Sequence, residues 1–198
     1  MTTTEQRQST FGPSALATPA NMLTLARLLM TPVLVAMVVL TRPTTWTLAL
    51  VWIVCAGSDG LDGFLARRQG TTRSGAFLDP LADKFLVLGV LAALASIHEI
   101  SWLPVVLIGG REVVMSVYRT YAGRRGVSIP ARQLAKVKTF LQDLVVALAL
   151  IPPVAEHHIG TVRVLLWAAV AITLYTGLEY LHDGRRLLAG NAGPAGAA

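Results

Sequence analysis

Four aspartates, Asp59, Asp62, Asp79 and Asp83, fall within 25 residues of one another in a chain that is otherwise apolar. Carboxylates gathered in one place repel one another strongly, and a bound cation relieves that repulsion. Ligation by oxygen alone, with no His or Cys in the set, selects hard divalent ions: Mg²⁺ first, with Mn²⁺ or Ca²⁺ as alternatives. Four carboxylates suffice for two ions sharing bridging ligands. Two metals about 3.5–4 Å apart are a recurrent means of stabilising charge on a phosphorus undergoing in-line displacement.

The spacing says what must hold these groups. Asp59 and Asp62 stand at i, i+3, and Asp79 and Asp83 at i, i+4, so each pair shares one face of a helix. The helices themselves are membrane spans by composition. Of the 198 residues, 54% are hydrophobic and 14% charged, against about 25% charged in an ordinary soluble domain. Mean hydropathy is +0.58. Apolar runs of roughly 20 residues, the length that crosses a ~30 Å hydrocarbon core, occur at 23–41, 46–66, 76–97, 102–122, 138–155 and 161–181. The expected fold is therefore all-α, a polytopic membrane protein of six transmembrane helices, with a kink at Pro32.

No internal repeat is evident, so a single membrane domain over residues 19–188 is expected. It is flanked by disordered tails at 1–18, which is Thr/Ser/Pro-rich with no signal-peptide pattern, and at 189–198, which is Gly/Ala-rich. A carboxylate at membrane depth is expensive and faces a protein interior or a water-filled cavity. At ~1.5 Å per residue, both aspartate pairs would lie roughly 6–14 Å below the same boundary. If the second and third spans pack as antiparallel neighbours, all four carboxylates meet.

Charge asymmetry orients the spans. Six crossings put both termini and the 67–75 and 123–137 loops on one side, with Arg67, Arg68, Arg73, Arg124, Arg125, Arg132, Lys136, Lys138, Arg185 and Arg186. The other side offers Arg42 and Arg163, so the first is expected to be cytoplasmic, and the aspartates with it. The basic balance, a pI of about 10.1, is read as topology and attraction to anionic lipid headgroups, not as nucleic-acid binding. The single cysteine, Cys55, excludes a disulfide framework. His157 and His158 are expected in a loop opposite the aspartates, away from any metal.

The stretch Asp59-x2-Asp62-Gly63-x2-Ala66-Arg67-x7-Gly75-x3-Asp79-x3-Asp83 resembles the signature of the CDP-alcohol phosphotransferases, integral membrane enzymes of phospholipid synthesis. Asn21, Thr24 and Arg27 in the opening segment, Lys84 beside Asp83, Arg111-Glu112, and Lys136-x-Lys138-Thr139-x2-Gln142 are similar to further motifs of the family's glycerol-phosphate-using bacterial members. The resemblance implies a CDP-diacylglycerol donor, an sn-glycerol 3-phosphate acceptor, release of CMP, two Mg²⁺ or Mn²⁺ ions per site and a homodimer in the plasma (inner) membrane. It implies Asp59, Asp62, Asp79 and Asp83 as metal ligands, with Asp83 also the base that deprotonates the acceptor. It further implies donor contacts from Asn21, Thr24, Arg27, Gly63, Ala66, Arg67 and Gly75. The residues alone leave Gly63 and Gly75 open between close helix packing and close approach of a ligand. Arg27 is likewise open between donor contact and a structural pair with an acid.

An acceptor that carries its own phosphate needs cations separate from the metal site. Arg111 and, two turns later on the same face, Arg119 lie in the fourth span, and Lys136 and Lys138 open the fifth. Arg suits a bidentate phosphate contact and Lys a point-charge contact. Adjacent helix positions diverge, so Glu112 is not expected to pair with Arg111. Two rivals stand beside this reading: a family member whose acceptor is phosphatidylglycerol or inositol phosphate, and a cation transporter with an acidic site.

Overall fold

Six long helices and one short one carry the chain in the computed structural model, which describes residues 19–41, 45–69, 75–125 and 133–191. They are α1 (Pro19–Thr41), α2 (Trp46–Gln69), α3 (Gly75–Ser96), α4 (Trp102–Arg124), α5 (Gln133–Leu150), α6 (Pro152–His157) and α7 (Ile159–Asn191). No strand occurs among the described residues. The six long helices overlap the six apolar runs, and a helix satisfies its own backbone, as an apolar segment must where no water reaches it.

The differences lie at the ends. Residues 138–155 do not form one helix: α5 stops at Leu150 and α6 restarts at Pro152. Pro152 and Pro153 lack backbone N–H groups and disfavour helical backbone in the residue before them. Pro at the first position of α6 meets no penalty, since that N–H would be unpaired in any case. α7 runs to Asn191, past the expected boundary at Leu188, because nothing between Leu188 and Asn191 breaks a helix as proline does. The tails at 1–18 and 192–198 lie outside the described residues. α1 continues as helix on both sides of Pro32.

Between α3 and α4 the chain turns in a few residues. His98 takes a left-handed φ of 67°, and the Glu99 N–H bonds the Leu94 carbonyl at 3.1 Å, the pattern that closes a helix C-terminus. Ser101 then caps α4 by accepting from the Leu103 N–H at 3.3 Å.

α1 packs chiefly against α3 and then α2, α7 packs against α5 and α4, and α3 joins the two groups through α4 and α5. The core they share holds Leu34, Trp52, Leu91, Ile108, Val146 and Leu166, all nearly or fully buried. α1 and α3 approach closely at Gly89, where a Cβ would meet Val35 Cγ2 at 3.2 Å and Thr31 Cγ2 at 3.3 Å. Gly89→Leu should therefore destabilise the bundle by about 1–3 kcal/mol through overpacking. A thermal melt in detergent checks this, and an unchanged midpoint would show that the α1–α3 seam is loose.

The outer surface is apolar. Leu29 and Leu40 on α1, Val54 on α2, Phe140 on α5, and Val164 and Leu178 on α7 are 67–82% exposed, with Phe85 on α3 and Val113 on α4 also exposed. Every long helix thus turns large apolar side chains outward, as lipid-facing surfaces do and water-facing ones rarely do over so wide an area. Two stretches among the described residues, Met22–Thr41 and Ile159–Leu187, are long and apolar enough to cross a membrane by length and composition.

Candidate active site

Side chains from α3, α4, α5 and α7 enclose a cavity of about 230 Å³. α3 contributes Asp83 and Lys84, α4 Arg111, Glu112 and Arg119, α5 Lys138, and α7 Thr176 and Tyr180. Of the sequence-derived candidates, the cavity therefore brings together Asp83, Arg111, Arg119 and Lys138. Lys136 is exposed and outside its lining. Residues two apart on a helix point about 200° apart, so Lys136 and Lys138 cannot face the same cavity.

Glu112 is the hub of this site. Only 6% exposed, it receives three cations. Arg111 Nη1 reaches Oε1 at 3.0 Å, Lys138 Nζ bonds the same oxygen, and Lys84 Nζ lies 3.2 Å from Oε2. Lys84 also donates to Ser116 Oγ at 2.9 Å. Contrary to the expectation from helix geometry, Glu112 is a direct partner of Arg111. Divergence of neighbouring Cβ atoms constrains short side chains, but the Arg stem is long enough to bring its guanidinium round to its neighbour's carboxylate.

Arg111 is further held from α7. Its Nε donates to the Thr173 carbonyl at 3.1 Å and its Nη2 to Thr176 Oγ1 at 3.3 Å. Gly177 makes room for this path: a Cβ there would lie 3.1 Å from Arg111 Nε and 3.3 Å from its Cγ. Gln142 on α5 donates to Thr173 Oγ1 at 3.0 Å, tying α5 to the same turn of α7. Arg119 sits with its guanidinium carbon 5.8 Å from the centre of the Tyr180 ring, within cation–π range.

The other flank belongs to α1 and α2. Arg27 is 2% exposed, and its Nε donates to the Cys55 carbonyl at 3.2 Å and its Nη2 to Ser58 Oγ at 2.9 Å. It thereby pins α1 to the residue before Asp59. Thr24, one turn earlier on α1, is also buried. An apolar groove of about 400 Å³ runs between the two helices, lined by Leu23, Met30, Leu50 and Val54, with Arg27 and Ser58 at its edge. Cys55 is a buried free thiol.

Asp59 and Asp62 lie on α2 and Asp79 and Asp83 on α3, so the aspartates occupy two helices as the spacing requires. The side chains of Asp59, Asp62 and Asp79 lie outside the described residues, as do those of Asn21, Gly63, Ala66, Arg67 and Gly75. No group of three or more metal-ligating side chains occurs among the described residues. Sequence reasoning named Lys84 and Glu112 only as members of matching motifs and gave neither a role in the site. Their signal was position, since each directly follows a residue already singled out.

This arrangement, Asp83 of α3 sharing one cavity with Lys84, Arg111, Arg119 and Lys138, suits an enzyme that handles phosphate esters. The family model for the CDP-alcohol phosphatidyltransferases matches residues 17–175, and the chain belongs to that family of transferases. Members generally depend on a divalent metal. A probable phosphatidylglycerophosphate synthase of Mycobacterium tuberculosis is 37% identical over 184 residues, covering 90% of this chain and 87% of that protein. A CDP-diacylglycerol–glycerol-3-phosphate 3-phosphatidyltransferase of Escherichia coli is 38% identical over 175 residues, covering 83% and 93%. One of the same name from Rickettsia bellii is 33% identical over 165 residues, covering 81% and 91%. The family and the apolar helices together mark a membrane protein.

Proposed function

We propose that this chain transfers a phosphatidyl group from CDP-diacylglycerol to sn-glycerol 3-phosphate, forming phosphatidylglycerophosphate and CMP. The observation that carries the reading is the shared cavity. Asp83, the candidate base, opens into the same space as Arg111 and Lys138, the cations suited to an acceptor's phosphate. The names of the relatives support the same pair of substrates.

In this reading the acceptor's terminal hydroxyl oxygen attacks the phosphorus that bears the diacylglycerol. The bond from that phosphorus to CMP breaks, and the hydroxyl proton passes to Asp83. Asp59, Asp62, Asp79 and Asp83 would hold two Mg²⁺ or Mn²⁺ ions, and their oxygen-only donor set fits such ions. The bound ions would supply charge stabilisation at the pyrophosphate. Asp83 beside such ions is a weak base, so it acts on a hydroxyl acidified nearby. Arg27, Asn21, Thr24 and Arg67, with the small residues Gly63, Ala66 and Gly75, would contact the donor. The apolar groove between α1 and α2 suits one of its acyl chains. Arg119 and Lys136 would serve as outer cations that attract the acceptor. We further read all six long helices as spans in the plasma (inner) membrane, with the active site toward the cytoplasm and the protein working as a homodimer.

The test offers glycerol 3-phosphate, phosphatidylglycerol and inositol phosphate in parallel, with CDP-diacylglycerol and Mg²⁺, and identifies the lipid product. Phosphatidylglycerophosphate as the main product is expected, and preference for either other acceptor would overturn the assignment. Gly177→Ala provides a finer check. The added methyl must displace Arg111 by a few tenths of an ångström, which should raise the KM for glycerol 3-phosphate roughly three- to tenfold without changing the KM for CDP-diacylglycerol. An equal rise in both constants would place Arg111 outside acceptor binding.

A further inference from the structure

We propose that Glu112 is the positioning residue of the acceptor pocket: its buried carboxylate gathers Arg111, Lys138 and Lys84 into a preformed phosphate-binding cluster. The inference rests on the reading of the cavity given above and adds to it the group that assembles the cations. Lys84, Arg111 and Lys138 belong to three different helices, α3, α4 and α5, and Glu112 is the acid on which all three converge. Lys138 is itself buried, at 7% exposed. Three cations held this close without an anion would repel one another and turn toward water where their stems allow. The Lys84 side chain, 32% exposed, has such a route.

The shared carboxylate also leaves donors to spare. Arg111 spends three of its five N–H groups on Thr173, Thr176 and Glu112. Lys84 and Lys138 each carry three donors, and the cavity lies beside all three cations. The donors not spent on Glu112, Thr173 and Thr176 are the groups that a phosphate's oxygens would take up. Glu112 thus fixes where the cations stand, without itself touching the acceptor's phosphate.

The experiment uses full-length protein in nanodiscs and compares wild type with Glu112→Gln and Glu112→Asp. Three quantities are read: KM for glycerol 3-phosphate, KM for CDP-diacylglycerol, and the thermal stabilisation by inorganic phosphate with divalent metal chelated. Glu112→Gln should raise the acceptor KM roughly ten- to a hundredfold, the scale of a lost charge-assisted contact. It should leave the donor KM unchanged and abolish the stabilisation by phosphate. Glu112→Asp keeps the charge with a shorter reach and should fall between the two. An acceptor KM that is unchanged or lower in Glu112→Gln overturns the proposal, and so does an equal rise in both KM values, which marks a merely structural role. If the Gln variant does not enter the membrane, the Asp variant decides by the same split. Wild type that phosphate stabilises but that makes no lipid from glycerol 3-phosphate would refute the reaction and leave the role of Glu112 to the stabilisation data. Wild type that phosphate does not stabilise would refute the pocket, and Glu112's role with it.

Discussion

Asp59→Asn, Asp62→Asn and Asp79→Asn, made one at a time, should each reduce formation of the lipid product by on the order of a thousandfold or more. Each change keeps the size of the side chain and removes the negative charge that a divalent ion requires. With fewer carboxylates the ions are held weakly, and the pyrophosphate loses the charge stabilisation on which departure of CMP depends. The variants should still reach the membrane, because removing a carboxylate from membrane depth relieves an energetic cost. Excess chelator should reproduce the loss in wild type, and added Mg²⁺ or Mn²⁺ should restore activity there but not in the variants. The measurement is radiolabelled glycerol 3-phosphate incorporated into lipid, with membrane content followed by immunoblot. Near-wild-type rates in any two of the variants, or full turnover in chelator, would reject the two-metal arrangement.

Asp83→Asn should abolish transfer to a similar extent but for a different reason. Asp83 lines the cavity of Arg111 and Lys138, on the side where the acceptor would sit, so its loss should remove the proton acceptor for the attacking hydroxyl. Asp59, Asp62 and Asp79 remain to hold the ions that grip the pyrophosphate, so binding of CDP-diacylglycerol should fall far less than transfer does. Asp59→Asn, by contrast, should weaken donor binding, since it loosens the ions that grip the pyrophosphate. Equilibrium binding of a labelled donor to each variant in nanodiscs separates the two. Equal loss of donor affinity would show that Asp83 is first a metal ligand, and its assignment as base would fall.

What the sequence determined by itself is what depends on neighbours along the chain. Apolar runs of about 20 residues became helices, the form in which a segment satisfies its own backbone. The i, i+3 and i, i+4 spacings of the aspartates placed one pair on α2 and the other on α3. Pro152 and Pro153 carried the break between α5 and α6. The family signature was legible for the same reason, since its residues are close in sequence and their spacing is set by helix geometry.

The tertiary structure alone decided which long side chains meet. Helix geometry separates Arg111 from Glu112, yet the two pair, because the path of Arg111 is set by the Thr173 carbonyl and Thr176 of α7, 62 and 65 residues away. The room for that path comes from Gly177, whose place under Arg111 follows from the packing of α4 on α7 and from nothing in its own segment. Lys84 and Lys138 reach one carboxylate only because α3 and α5 flank α4 at that level. A local pattern states which face of a helix a residue occupies. Which partner that face meets depends on contacts between distant segments, and the cavity around Glu112 is built almost wholly from such contacts.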